Sequence, residues 1–117
     1  MGTMNIKIIK QPITKAEARE IAQEFYVEMV KGVADIEKGI IALGGEYHVD
    51  ANAILIRNGS QQKDVWGFNL YPDRTSDSWI EYTSLINIRP SANNRSMNVE
   101  DEKIRAKIKT IVGKLVI

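Results

Sequence analysis

Apolar residues recur along this chain with two periods, and the change from one to the other divides it into elements. Asn5 to Lys10 alternates, with Ile6 and Ile8 on one face and Lys7 and Ile9 on the other, and it ends before Pro12, which has no N–H for a ladder. It reads as a strand. Thr14-Lys15-Ala16-Glu17 has capping-box spacing, in which hydroxyl and carboxylate each satisfy an orphan backbone N–H. A helix is predicted from Thr14 to Lys31, with Ala18, Ile21, Ala22, Phe25 and Met29 on one stripe and Gly32 as its stop.

Val33 to Leu43 allows a hairpin turning at Glu37-Lys38-Gly39 or a continued helix. The hairpin is favoured because each of Gly32 and Gly39 would cost a helix about 1 kcal/mol and the flanks are β-branched. Gly44-Gly45 marks a bend. Ala53 to Arg57 reads as a strand, with a short helix capped by Asp50 as the competing reading, followed by an Asn58-Gly59-Ser60 turn and a polar loop to Asp64. Val65 to Tyr71 and Trp79 to Arg89 read as strands joined by the loop Pro72 to Ser78, and Pro90 to Asn98 as a loop. A second helix is predicted from Val99 to Leu115, capped by Asn98. Its acids (Glu100, Asp101, Glu102) come early and its lysines (107, 109, 114) late, as the helix dipole favours.

These elements predict an α+β fold: an antiparallel β-meander sheet with two helices packed on one face. The predicted core is Ile6, Ile8, Ile21, Phe25, Met29, Ile41, Leu43, Leu55, Trp66, Phe68, Leu70, Ile80, Leu85, Ile104, Ile108 and Ile111. At 117 residues, 44% apolar and 26% charged, the chain is sized for one domain over 1–117 with a core that needs no staple. Met1 to Thr3, ahead of a second methionine, read as residues added for expression, with Met4 as the native start.

The net charge of +1 supplies no field to draw nucleic acid or an anionic membrane. Zero cysteines exclude disulfides, thiolate zinc sites, iron–sulfur clusters and a cysteine nucleophile. With no signal-peptide run and no apolar stretch near the ~20 residues of a membrane span, the expected location is cytoplasmic.

Two constellations have the residue types of a site. Glu46, His48 and Asp50, spaced by two, would share one face of an extended strand. There they could hold a divalent cation such as Zn, Mn or Fe, or orient His48 as a general base. The bland reading is a solvated polar face. The second is Asn87 to Ser96, where Arg89, Ser91, Asn94, Arg95 and Ser96 offer guanidinium, hydroxyl and amide donors suited to a phosphate or carboxylate. Its bland reading is that Asn and Ser satisfy the loop's own backbone while the arginines pair with Glu100 or Asp101. Trp66, Phe68, Tyr71, Trp79 and Tyr82 are read as packing rather than a base-stacking platform, since no basic excess accompanies them. His48 has no GxSxG elbow to serve, and Gly44-Gly45 matches no phosphate-binding spacing.

The strings GGEYHVD, NGSQQKDVWGFNLYP and INIRPSANNRS resemble a family of short prokaryotic proteins classed as a domain of unknown function. The likeness covers almost the whole chain. The matching positions are Gly44, Gly45, Glu46, His48 and Asp50, then Gly59, Ser60, Gln62, Asp64, Trp66, Gly67, Asn69, Tyr71 and Pro72, then Ile86 to Ser91 and Asn94 to Ser96. The chain departs from it at Tyr82-Thr83, where the family looks more like Phe-Asp, and at Met97, where a basic residue is common. The resemblance implies no particular activity.

The expected function is a non-enzymatic binding or protein-interaction module. Its expected partners are a second copy paired through a sheet edge or a small anionic ligand. The alternative is a metal-assisted hydrolase in which Glu46, His48 and Asp50 bind a cation while Arg89 and Arg95 hold an anionic substrate.

Overall fold

In the computed structural model, residues 5–117 are described; the expectations for residues 1–3 and for a start at Met4 lie outside them. The strands are β1 (Lys7–Ile9), β2 (Val30–Asp35), β3 (Ile40–Leu43), β4 (Val65–Leu70) and β5 (Ile80–Glu81). The helices are α1 (Lys15–Ala22), α2 (His48–Arg57) and α3 (Glu102–Leu115). All strand pairs are antiparallel in one sheet of order β1-β3-β2-β4-β5, so the α+β class holds while the meander order does not. The outermost strands are short, three residues in β1 and two in β5.

The predicted hairpin is present. β2 pairs with β3 from Gly32–Leu43 to Asp35–Ile40, and the buried Asp35 carboxylate organises the turn. One of its oxygens accepts from the N–H groups of Glu37 and Lys38, both at 2.9 Å, and the other from the Ser60 hydroxyl at 2.6 Å. The other flank of β2 pairs with β4 along its whole length, from Val30–Leu70 to Asp35–Val65.

Strand parity then sorts the core into two layers. Val30, Ala34, Ile41, Leu43, Trp66, Phe68 and Leu70 pack with Ala18, Ile21 and Ala22 of α1 and Ile108, Val112 and Leu115 of α3. Val33, Ala42 and Val65 pack with Ala51 and Leu55 of α2. A third helix, α2, lies on the second layer, so both faces of the sheet carry helices.

The Thr14–Glu17 capping box forms as expected, but α1 ends at Ala22 instead of Lys31. Val30 to Gly32 are drawn into the sheet, where pairing with β4, joined at Gly32 by β3, overrides helix periodicity. Gly32 is thus no helix stop: it sits in mid-strand, where a Cβ would overlap the Phe68 ring. The intervening segment is irregular, which leaves the predicted core residue Phe25 exposed.

Ala53 to Arg57 is helical as the end of α2, not a strand. His48, Ala51 and Leu55 recur on its buried side with helical spacing, and Tyr47 is the N-cap instead of Asp50. The second predicted helix begins later, at Glu102, capped by the Asp101 carboxylate instead of Asn98.

Only Ile80 and Glu81 of the predicted Trp79–Arg89 strand are in the sheet. Beyond them the chain leaves β4 and ties to residues 97–99 through Ser84 N–H to Met97 C=O (3.0 Å) and Val99 N–H to Tyr82 C=O (2.9 Å). Leu85, predicted as core, is exposed as a result. The vacated edge of β4 is closed by a side chain. Asn87 Oδ1 accepts from Gly67 N–H at 2.8 Å and its Nδ2 donates to Gly67 C=O at 3.0 Å, reproducing with one amide the two bonds of a strand partner. Gly67 is required there, because a Cβ would lie 2.5 Å from Ser84 Cβ.

Asn87→Ala leaves both polar groups of Gly67 buried without partners, and a loss of roughly 2–3 kcal/mol in unfolding free energy is expected from urea titration. Gly67→Ala should lower the midpoint as well, through overlap with Ser84.

Candidate functional site

A cleft of about 400 Å³ opens at the end of the sheet face that α2 covers only in part. Its floor is Lys31 of β2 and Asn69 of β4, which are cross-strand partners. One wall is the start of α2 with Tyr47, His48 and Val49, and the facing wall is Thr83 to Ile86 with Met97. Tyr26 and Met29, from the segment between α1 and β2, close the third side.

That segment is held in an unfavourable conformation. Val27 has φ 65°, a left-handed conformation costing a β-branched residue about 1–3 kcal/mol. The amides of Phe25, Tyr26 and Val27 all converge on the Ala22 carbonyl, and the Tyr26 hydroxyl donates to the Glu46 carbonyl across the cleft end.

Lys31 supplies the single formal charge of the lining. Its ammonium lies 5.0 Å from the centre of the Tyr26 ring and 5.7 Å from that of Tyr47, a cation–π arrangement that fixes its position. His48, the only histidine, is buried, and its Nε2–H donates to the Phe68 carbonyl at 2.8 Å. Burial lowers the imidazole pKa below its ordinary value and the Lys31 charge adds to this, while the Phe68 carbonyl and the Asn69 side chain pull the other way. The ring is therefore neutral at pH 7. The Tyr47 hydroxyl, beside the Glu46 carboxylate, is held above the usual phenol range. The hydroxyls of the wall facing α2 are engaged: Thr83 Oγ1 donates to Asn98 Oδ1 at 2.9 Å, and Ser84 Oγ accepts from Ile86 N–H at 3.3 Å.

The two constellations read from the sequence are placed differently. Glu46 lies in the bend after Gly44-Gly45, whereas His48 and Asp50 belong to the first turn of α2. Helical residues two apart point roughly 200° from each other, so the three do not share a face. Among the described residues, no group of three or more His, Cys, Asp or Glu side chains is gathered to hold a metal ion.

Arg89 and Arg95 do not line the cleft. The Arg89 guanidinium donates to the carbonyls of Gln62 (3.1 Å), Val65 (2.6 Å) and Ile86 (3.2 Å) and lies 4.2 Å from the Trp66 ring centre. Burial lowers its pKa. Asn94, itself buried, donates through Nδ2 to the carbonyls of Asn87, Ser96 and Asn98.

The loop does hold an anion, and that anion is internal. Glu100 Oε2 accepts from the N–H groups of Arg95 (2.9 Å) and Ser96 (2.8 Å) and from Ser96 Oγ (2.9 Å). Hydrogen bonds from the Ser96 side chain, then from the two amides, hold this carboxyl below its usual range. Ser91 is exposed in the short turn Pro90–Ala92.

Of the cleft residues, His48 alone was among the candidates drawn from the sequence, while Asn69 and Ile86 stood only in the family resemblance. Tyr26, Lys31 and Tyr47 were missed. The available signal was Val30-Lys31-Gly32-Val33, whose alternation sets Lys31 and Val33 on one strand face.

Fold and cleft together define an α+β domain with helices on both faces of an antiparallel sheet. The chain belongs to the family described as "Protein of unknown function (DUF5674)", whose model matches residues 7–115. No curated protein and no solved structure matches it. No helix among the described residues is long and apolar enough to cross a membrane.

The lowered pKa of His48 gives a signed pH dependence. Below the ordinary value of 6.5 the unfolded chain takes up the proton before the folded one does, so acidification favours unfolding; above 6.5 both states are neutral and the effect vanishes. Unfolding free energy should fall between pH 7 and 5 in the wild type and fall less in His48→Gln, whose amide can still donate to Phe68. Glu100, with its depressed pKa, acts in a lower window, its contribution present above the ordinary carboxyl value and lost as pH drops through the folded one.

Proposed function

We propose that this chain is a non-enzymatic binding module and that the Lys31 cleft is its binding site. The observation that carries this reading is the cleft itself, about 400 Å³ in volume and lined largely by apolar and aromatic side chains around a single fixed charge. Its rim supports the reading, because Tyr47, Val49, Leu85 and Met97 are all exposed there, with Leu85 at 71%. Binding is favoured over catalysis because the polar groups that could react are held by neighbours. The imidazole N–H is bonded to Phe68, and both hydroxyls of the far wall are bonded within the chain. Neither the Thr83 nor the Ser84 hydroxyl is bonded to a carboxylate or to the imidazole, as a nucleophile's base would be.

Methionine methyl NMR tests the site directly, because Met29 and Met97 both line the cleft. Titration with a mixed library of neutral and charged aromatic fragments should shift these two signals, and Leu85→Lys should abolish the shifts while leaving the fold intact. Fragments that shift neither methyl, or shift them equally in Leu85→Lys, would refute the reading.

A further inference from the structure

We propose that the occupant of the cleft is a small monocarboxylate with an apolar, flat body, its carboxylate set against Lys31 and its body against Met29, Val49, Leu85 and Met97. This deepens the reading of the cleft as a binding site and rests on it.

The sign of the charge follows from the lining. It contains one lysine and no aspartate or glutamate, and its histidine is neutral at pH 7. Among the described residues, the ion pairs are Arg19–Asp73, Arg105–Glu102 and Lys109–Asp77, and none includes Lys31. A cation at the floor of an apolar cleft is partly desolvated, which strengthens its attraction for an anion relative to one on an open surface.

The backbone adds donors of the same sense. Tyr47 caps α2 without a side-chain hydrogen bond, and His48 and Val49, the first two helical residues, line the cleft. Their N–H groups have no intrahelical acceptor and stand at the positive end of the helix.

The size of the charge selects among anions. One ammonium, at the cleft end where α2 begins, matches the single charge of a carboxylate. A phosphate dianion or polyphosphate would leave charge uncompensated in an apolar surround. The body of the ligand follows from what remains. Lys31 lies over the Tyr26 and Tyr47 rings, so the free contact surface is the two methionines, Val49 and Leu85. Thioether side chains adapt to the face and edge of an aromatic ring, which favours a flat body.

The test compares a matched acid and amide, 2-naphthoate and 2-naphthamide, by calorimetric titration of the full-length chain at pH 7.5, with octanoate as a flexible acid. The acid should bind at least tenfold more tightly than the amide and weaken as salt is raised. Lys31→Met should weaken the acid about tenfold and leave the amide unchanged. 2-Naphthyl phosphate should bind more weakly than 2-naphthoate, and octanoate more weakly still.

Equal binding of acid and amide, or an acid affinity indifferent to Lys31→Met, would overturn the carboxylate assignment while leaving the cleft as a site for neutral ligands. Tighter binding of the phosphate would overturn the charge argument alone. Failure of every probe to bind or to shift Met29 and Met97 would overturn both the assignment and the reading beneath it. The acid–amide comparison needs only the wild-type protein, so the outcome does not hang on the variant folding.

Discussion

Hydrogen bonding of β2 on both of its edges is the constraint on which this molecule depends. Gly32 to Asp35 are paired with β3 on one side, and the whole strand, Val30 to Asp35, with β4 on the other. A central strand cannot slip by one residue without exchanging its two faces. Here that exchange would move Val30 and Ala34 out of the layer shared with α1 and α3 and would replace them with Lys31 and Val33. Residues 30–35 therefore decide which helix covers which face and where the one cation of the cleft stands. The Asp35 carboxylate secures the register at the far end, because it accepts from the two amides of the turn and from the Ser60 hydroxyl, which follows α2.

Side chains do elsewhere what backbone ladders do in the centre. Asn87 closes the edge of β4 where β5 has ended, and Asn94 gathers the carbonyls around it. Glu100 fixes the turn before α3 through three donors. An Asn amide carries both donor and acceptor in the geometry of a peptide group, so it can satisfy buried backbone without another strand. These contacts give the Arg89 guanidinium, the Asn87 and Asn94 amides and the Ser96 hydroxyl acceptors within the chain, namely Glu100 and a set of carbonyls.

The cleft arises where these two kinds of order meet. Between the sheet centre and the side-chain-fixed segment 82–99, α2 is too short to cover the end of its layer, and Lys31 and Asn69 are left as a floor between separate walls. The burial of His48 and the strained backbone at Val27 both border this space. Neither is needed to form the sheet, and each carries a cost that the surrounding packing must offset.

The sequence by itself determined the elements whose signals are local. The Thr14–Glu17 capping box, the turn at residues 36–39, the strand Val65–Leu70 and the apolar stripe of α3 all follow from side chains within a few residues of one another. It also placed Trp66 and Phe68 together in the core, because alternation along one strand decides their face.

Only the tertiary structure decided what depends on partners distant in the chain. Helix 1 reads as continuing to Lys31 because the apolar period persists, yet Val30 to Gly32 pair with β4, a partner that no local pattern records. The Ile54–Leu55–Ile56 run reads as a strand because its neighbours in sequence are branched, yet Ala51 and Leu55 pack as a helix on Val33 and Val65. Glu46, His48 and Asp50 share a face only if the backbone is extended, and α2 removes that condition. Lys31 meets Tyr47 and Asn69 only because the fold brings residues far apart in sequence within side-chain reach. Local interactions set propensity and periodicity, but a cleft is built from non-local contacts, and those exist only once the sheet has closed its register.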